Sequence, residues 1–337
     1  MSKEIVTVGG GNGSPIINEA LLLTSKVDNI NAVAAVYDSG GATGRRRLDA
    51  LGKEIAYSDA MRILISLFPP EKQDARQYFA LKKLFNHRDE RDKVLGQDIF
   101  NRFFDPIEGF GQIEEVMRDL GIDIQGHVLP SSTEPSNIAF ATTSGRKFVG
   151  EHLLDANRMS QDMVINMYLD PKVDAYVPAE DAIENAQLVI LSSGSIHGSV
   201  LSNFLPNGMR EALQKSKAKL FLVTNLVSTR NETHNFTPLQ FAEMVKKYSG
   251  RQPDGLIVPE ISREDFEAKN HEVAVLYDQE HAHFLGWDSR ELYRAENKGI
   301  QIITHQATRI IDAGDGLKIV RHDPQKLSDA LGQLLAA

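Results

Sequence analysis

Ile5-Val6-Thr7-Val8-Gly9-Gly10-Gly11-Asn12-Gly13-Ser14-Pro15 sets the reading of the whole chain. The run Ile5–Val8 is apolar and β-branched, too short for a buried helix, and reads as a buried strand. It leads directly into Gly9, Gly10, Gly11, Asn12 and Gly13, where absent side chains let the backbone approach a ligand closely. Pro15 stands at the first turn of a following helix, a place where its missing N–H is no loss. Strand, glycine loop and helix N-terminus together make an anion site. The dinucleotide pattern G-x-G-x-x-G is not met, because from Gly9 and Gly11 the third glycine position falls on Ser14. The alternative is a tight turn built only for its backbone angles.

Working outward, similar short runs recur at Ala32–Tyr37, Leu188–Leu191, Leu220–Val223, Leu256–Val258 and Ile300–Ile303. Helical patterns lie between most of them. They include Ile16, Ile17, Ala20 and Leu21; Met209, Ala212 and Leu213; and Leu239, Phe241, Ala242 and Val245. A last helix starts at Pro324, with Asp323 as its cap. Strands alternating with helices predict an α/β fold with a doubly wound, mostly parallel sheet. Two stretches interrupt the alternation: residues 59–120, read as a helical insert, and residues 127–153, read as a β-hairpin with its turn at Ser144-Gly145. No linker rich in Pro, Gly or Ser flanks either, so the chain, 1–337, reads as a single α/β domain.

Three further loops follow predicted strands. Asp38-Ser39-Gly40-Gly41-Ala42-Thr43-Gly44-Arg45 joins a glycine loop to the basic run Arg45-Arg46-Arg47. Asp38 would serve there as a ribose ligand, as a Mg²⁺ ligand, or only as a turn-capping residue. Ser192 to Ser199, with Gly194, Ser195 and His197, presents small hydroxyl residues at a helix start and suits an anion. A nucleophile–base pair of Ser195 and His197 is the weaker reading, since residues two apart do not face each other on a helix. Thr224-Asn225, followed by Glu232-Thr233, closes the set. In a parallel sheet all four loops share the edge where open α/β folds bind ligands. Asp59 reads most simply as a helix N-cap, while His281-x-His283 lacks a third metal ligand, and His127 and His322 flank loops.

Composition limits the partners. The charge of −9 argues against nucleic acid, whose phosphates demand an excess of Lys and Arg. Zero cysteines exclude disulfides and thiolate metal sites. No apolar run approaches the roughly 20 residues of a membrane span, and Met1 to Val8 reads straight into a strand rather than a signal peptide. A soluble cytoplasmic protein with no membrane partner is expected, and homo-oligomers are common among such folds.

In this order the loops resemble the CofD-like superfamily and, within it, the YvcK group of gluconeogenesis factors. The family's G-G-G-T-G is similar to Gly9–Gly13, with Asn12 for Thr. Its D-D-G-G-S-S-G-R is similar to Asp38–Arg45, with Ser39 for the second Asp. R-V-L-P-x-S-T-E-P resembles His127–Pro135. G-P-G-S-L-Y-T-S resembles Ser192–Ser199, without the first Gly, the Pro or the Tyr. N-L-x-x-x-x-G-E-T resembles Asn225 to Thr233, with Asn231 for Gly, and R-H-D matches Arg321-His322-Asp323. G-D-[IL]-R-N keeps only Asp59 in register.

The resemblance implies a Rossmann-like three-layer fold. It implies a nucleotide or nucleotide-sugar ligand held by Gly9 to Gly13, Asp38, Gly40, Gly41, Thr43, Arg45, Ser192, Gly194, Ser195, Asn225, Glu232, Thr233 and Arg321. Mg²⁺ would be held by Asp38 and Asp59, and NAD is not expected. The YvcK branch implies UDP-sugar binding and a role in carbon metabolism and cell shape. The CofD branch implies an enzyme, Mg²⁺-dependent transfer of a 2-phospholactyl-type group from a nucleoside diphosphate donor. No catalytic residue is assigned, and a nicotinamide dehydrogenase fits neither the glycine spacing nor the extra loops.

Overall fold

The structure is a computed structural model that describes residues 4–27, 29–314 and 317–336. In chain order its strands are β1 (Ile5–Gly9), β2 (Ile30–Ala34), β3 (Gly126–Pro130), β4 (Asn137–Thr142), β5 (Lys147–Val149) and β6 (Val164–Asp170). There follow β7 (Leu188–Leu191), β8 (Lys219–Val223), β9 (Gly255–Pro259), β10 (Gln301–His305), β11 (Thr308–Asp312) and β12 (Lys318–His322). The main sheet has the order β10-β9-β8-β7-β1-β2-β3. Every ladder in it is parallel.

The chain winds outward from β1 to β2 and β3, then returns to lay β7 on the other side of β1. That reversal makes the gap between β1 and β7 the switch point, where the first connections on either side lead away from each other and leave a crevice at the carboxyl ends. β1 and β7 are buried along their full length, as strands with helices on both faces must be. The helices Gly13–Leu23 and Pro324–Ala336 pack together on one part of the sheet. Residues 58–119 supply the helices Ser58–Ser66, Arg76–Phe85, Leu95–Arg102 and Gly111–Asp119, the first of which lies on β2 and β3.

Two small sheets stand apart. β5-β4-β6 is antiparallel, with Phe140 stacked on Phe148 at 5.0 Å. β11 and β12 form an antiparallel ribbon with Thr308 opposite His322 and Arg309 opposite Arg321.

Several expectations are corrected here. The stretch 127–153 is not all hairpin: residues 126–130 are the seventh strand of the main sheet, paired with β2, and only 137–149 make the hairpin. Gly126-His127-Val128-Leu129-Pro130 hides its strand character because an edge position mixes exposed and buried residues and ends on proline. β6, β11 and β12 were also missed. Both ribbon strands carry charged residues between the apolar ones, so neither shows a clean apolar run. Asp323 caps the last helix as expected, accepting from the Gln325 and Lys326 N–H groups.

Candidate functional site

The crevice predicted by the winding exists as a cleft of about 520 Å³ at the carboxyl ends of β1, β2, β7 and β8. Its floor is the seam between the loops after β1 and β7. An added Cβ on Gly13 would lie 2.5 Å from the Gly194 amide nitrogen, and one on Gly10 would lie 2.2 Å from a carboxylate oxygen of Asp59. These glycines let two loops and a helix end meet, whereas Gly11, Asn12 and Gly13 also face the cleft. Gly13→Ala should therefore cost about 1–3 kcal/mol through backbone collision, measured as a fall in the urea midpoint at unchanged m-value. An unchanged midpoint would show that the two loops are not in contact.

The β2 loop brings Asp38 and Gly40 into the cleft. The Gly40 N–H and the Ser58 hydroxyl each donate to the Asp38 carboxylate, at 2.8 and 2.7 Å. The basic run behind it does something other than expected. Arg45 pairs with Asp92 and Arg46 with Glu54 and Asp98, while buried Arg47 donates to the carbonyls of Tyr37, Asp38 and Ser136. None of the three lines the cleft. The reason lies in the helix Gly41–Asp49, which carries the arginines away from the loop. Gly41 and Thr43 also lie off the cleft, Thr43 accepting from Gln97. Gly9, Gly10 and Ser192 lie beneath it, with the Ser14 hydroxyl donating to Ser192.

After β7 the chain makes a wide π-helical turn over Ile196–Val200 rather than an α-helix. Its geometry rests on Glu232, which is nearly fully buried. Glu232 accepts from the Ser195 hydroxyl at 3.1 Å, the His197 backbone N–H at 3.2 Å and His197 Nδ1 at 2.9 Å. Burial alone would raise this carboxyl, but the donors from His197 and Ser195 outweigh it and hold it below the usual range. Ser195 bonds Glu232 and not His197, and the Gly198 N–H donates to Ser195, so the pair forms no nucleophile–base relay. Asn225 donates to the carbonyls of Ser193 and Gly194, tying the β8 loop to the β7 loop. Thr233 and Arg321 complete the residues expected from the sequence that reach the cleft.

Asp59 is not the N-cap. It sits inside the first turn of Ser58–Ser66, buried, pointing at the β1 loop and pairing with Arg62 at 2.8 Å. Burial first, then the nearby Asp38 charge, push its carboxyl up to about 6 against the pull of Arg62. Two acids unforeseen from the loops join it. Glu151, before the short helix His152–Ala156, is pushed up to about 8 by burial and by the charges of Asp38, Asp155 and Asp59. Asp155 is raised by burial and by Glu232. Arg62 and Arg158 were likewise missed, and Arg158 bridges to Glu280 at 3.1 Å across the mouth. The spacing of Glu151 and Asp155, one helical turn apart, is the only hint the sequence offered. Among the described residues no three Asp, Glu, His or Cys side chains are grouped to hold a metal unaided, His281 and His283 included.

Among the described residues no helix is long and apolar enough to cross a membrane. The family model for the 2-phospho-L-lactate transferase CofD matches residues 5–308. A gluconeogenesis factor of Listeria monocytogenes is 24% identical over 99% of this chain and 98% of its own length. A Thermotoga maritima protein that carries that name provisionally is 27% identical over 98% of this chain and 99% of its own. A crystal structure of a UPF0052 family member from Bacillus halodurans superposes with a TM-score of 0.79 at 24% identity, covering 98% of this chain and 99% of that one, and shares the fold. Ordered loop motifs, winding and matched length agree: the chain belongs to the CofD family and is a YvcK-type protein of its gluconeogenesis-factor branch.

Proposed function

We propose that the cleft binds a nucleotide sugar, of UDP-sugar type, and that the protein acts as a YvcK-type regulator linked to carbon metabolism and cell shape. The observation that carries the reading is the meeting of the β1 and β7 glycine-and-serine loops at the switch point of the sheet. Backbone N–H groups at Asn12, Gly13 and Gly194 suit a diphosphate, while Arg62, Arg158 and Arg321 supply positive charge around it. The acid side, with Asp38, Glu151 and Asp155, offers acceptors to sugar hydroxyls.

Mg²⁺ fits the donors present. Asp38 and Asp59 would supply oxygen ligands from one cleft, and the Asp38 charge adds to the upward push on Asp59 that a cation would relieve. Mg²⁺ takes one or two carboxylates and completes its shell with phosphate oxygens and water. When bound it would neutralise charge on the diphosphate.

A thermal-shift panel of UDP-N-acetylglucosamine, GDP and NAD, each with and without Mg²⁺, tests this. The UDP-sugar should stabilise by about 2.7 kcal/mol at a hundred times its Kd. Asp38→Asn should remove any gain from Mg²⁺. A shift from NAD alone would end the proposal.

The transferase reading draws on one feature, the raised carboxyls of Asp59 and Glu151 beside Asp38, which put a proton acceptor and a proton donor together in the cleft at neutral pH. It differs in outcome, since a transferase consumes its nucleotide-linked donor and a regulator returns it intact.

A further inference from the structure

A second cavity, about 560 Å³, lies at the carboxyl ends of β9 and β10, on the same rim of the sheet as the nucleotide cleft. Its size is that of a small-molecule site. Phe266 and Ile261 form an apolar wall, and Ile310 from β11 faces them. Around the opening stand Glu260, Asp265 and Lys269, charges of both signs, with neither Glu260 nor Lys269 in an ion pair among the described residues.

The floor holds polar atoms that lack partners. His305 is 4% exposed. The Ala307 N–H donates to its Nδ1 at 3.0 Å, which places the ring proton on Nε2. Burial holds the imidazole down near 4, so it is a neutral donor at physiological pH. Its Nε2, and the buried Thr308 hydroxyl beside it, find no partner among the described residues. Buried polar groups in native proteins are almost always satisfied by protein or ordered water, so these two atoms mark a polar layer directly beneath the cavity wall.

The cavity also touches the nucleotide cleft mechanically. The partition between them is a small apolar cluster apart from the main core, in which Phe266 and Phe284 stack at 3.9 Å. Phe266 and Ile261 face the second cavity, while Leu226 and Val320 of the same cluster line the cleft. Thr308 and Ile310 lie on β11, directly opposite His322 and Val320 on β12, so one face of the ribbon covers both spaces. The His305 ring lies 5.1 Å from that of His322, whose Nδ1 meets the Ser193 hydroxyl of the β7 loop.

We propose that this cavity binds a small zwitterion with an apolar body, of amino-acid to dipeptide size, and that its occupancy biases the nucleotide cleft through the β11–β12 ribbon. Lys269 suits the carboxylate, Glu260 and Asp265 suit the ammonium, and Phe266, Ile261 and Ile310 suit the body. The site itself stands apart from the nucleotide reading; only the coupling rests on it.

Isothermal titration of the full chain with L-leucine and alanyl-leucine, against 4-methylpentanoate and isoamylamine, tests the site directly. These controls keep the apolar body and remove one charge each. Millimolar or tighter binding of a zwitterion is expected, at least about tenfold weaker for both controls and for the exposed-residue variants Lys269→Glu and Ile310→Arg, whose melting points should match the parent. No zwitterion binding below about 10 mM, equal binding of either control, or unchanged binding in both variants would overturn the site. For the coupling, a saturating zwitterion should change the affinity for UDP-N-acetylglucosamine by about fivefold or more, and equal affinities would overturn it. If the UDP-sugar fails to bind in every condition, the nucleotide reading falls while direct zwitterion binding still decides the second site.

Discussion

Glu232→Ala is expected to lower stability by about 3–5 kcal/mol, because it leaves several buried donors without their acceptor at about 1–3 kcal/mol each. The substitution strands the Ser195 hydroxyl, the His197 backbone N–H and the fully buried His197 ring, all of which now donate to this carboxylate. In a chain of this length the melting point should fall by roughly 4–7 °C. Glu232→Gln keeps one acceptor oxygen and should lose less. The loss should also reach the cleft, because Ser195 and Gly198 line it and depend on the same carboxylate for their position. The sign of the pH dependence follows from the lowered Glu232 carboxyl. Its stabilisation is fully present above the unfolded carboxylate value near 4.3 and disappears as pH falls through the still lower folded value. Differential scanning calorimetry of the parent and both variants at pH 7 and pH 4 checks this, and equal melting points for parent and Ala variant at pH 7 would refute the network.

Glu151→Gln should do the reverse and stabilise the protein in alkaline, metal-free buffer. The Glu151 carboxyl is pushed up to about 8 by burial and by Asp38, Asp155 and Asp59. A group whose folded value is raised contributes fully below its unfolded value, near 4.3, and loses that contribution as pH rises to about 8. At pH 8 the amide is spared the repulsion, a gain on the order of 2 kcal/mol after allowing for solvent at the cleft, or a few degrees in melting point. The gain should shrink as pH drops and vanish near pH 4. Chelator is needed in both samples, because a bound cation would screen the same charges. A Gln variant that melts below the parent at pH 8 would show that Glu151 is satisfied rather than repelled. The two substitutions thus move stability in opposite directions with pH, although both remove a carboxylate from one cleft.

The sheet was largely legible because strand identity in a parallel α/β fold is a local property. Ile5–Val8, Leu188–Leu191 and Leu220–Val223 are buried on both faces, so each is a short continuous apolar run. β3 was lost to the hairpin reading and β11 and β12 were lost among charges, since edge and ribbon strands bury only one face. The glycine loop was legible too, although the structure gives Gly9 and Gly10 a packing role beneath the cleft instead of a place in its lining.

What the chain determined by itself is the local grammar: which segments extend, which coil, and which turns expose backbone N–H groups at the ends of strands. The choice of side chains that enter the cleft belonged to the tertiary structure. Arg45 sat nearest the second loop in sequence, yet the first turns of Gly41–Asp49 rotate it outward to Asp92, while Arg62, Arg158 and Glu151 arrive from segments that showed no loop motif at all. Helix phase and strand order set those positions, and strand order in a sheet is a long-range outcome of packing that no neighbouring residue encodes. The same holds for the raised carboxyls, whose cause is burial beside one another and not their own chemistry.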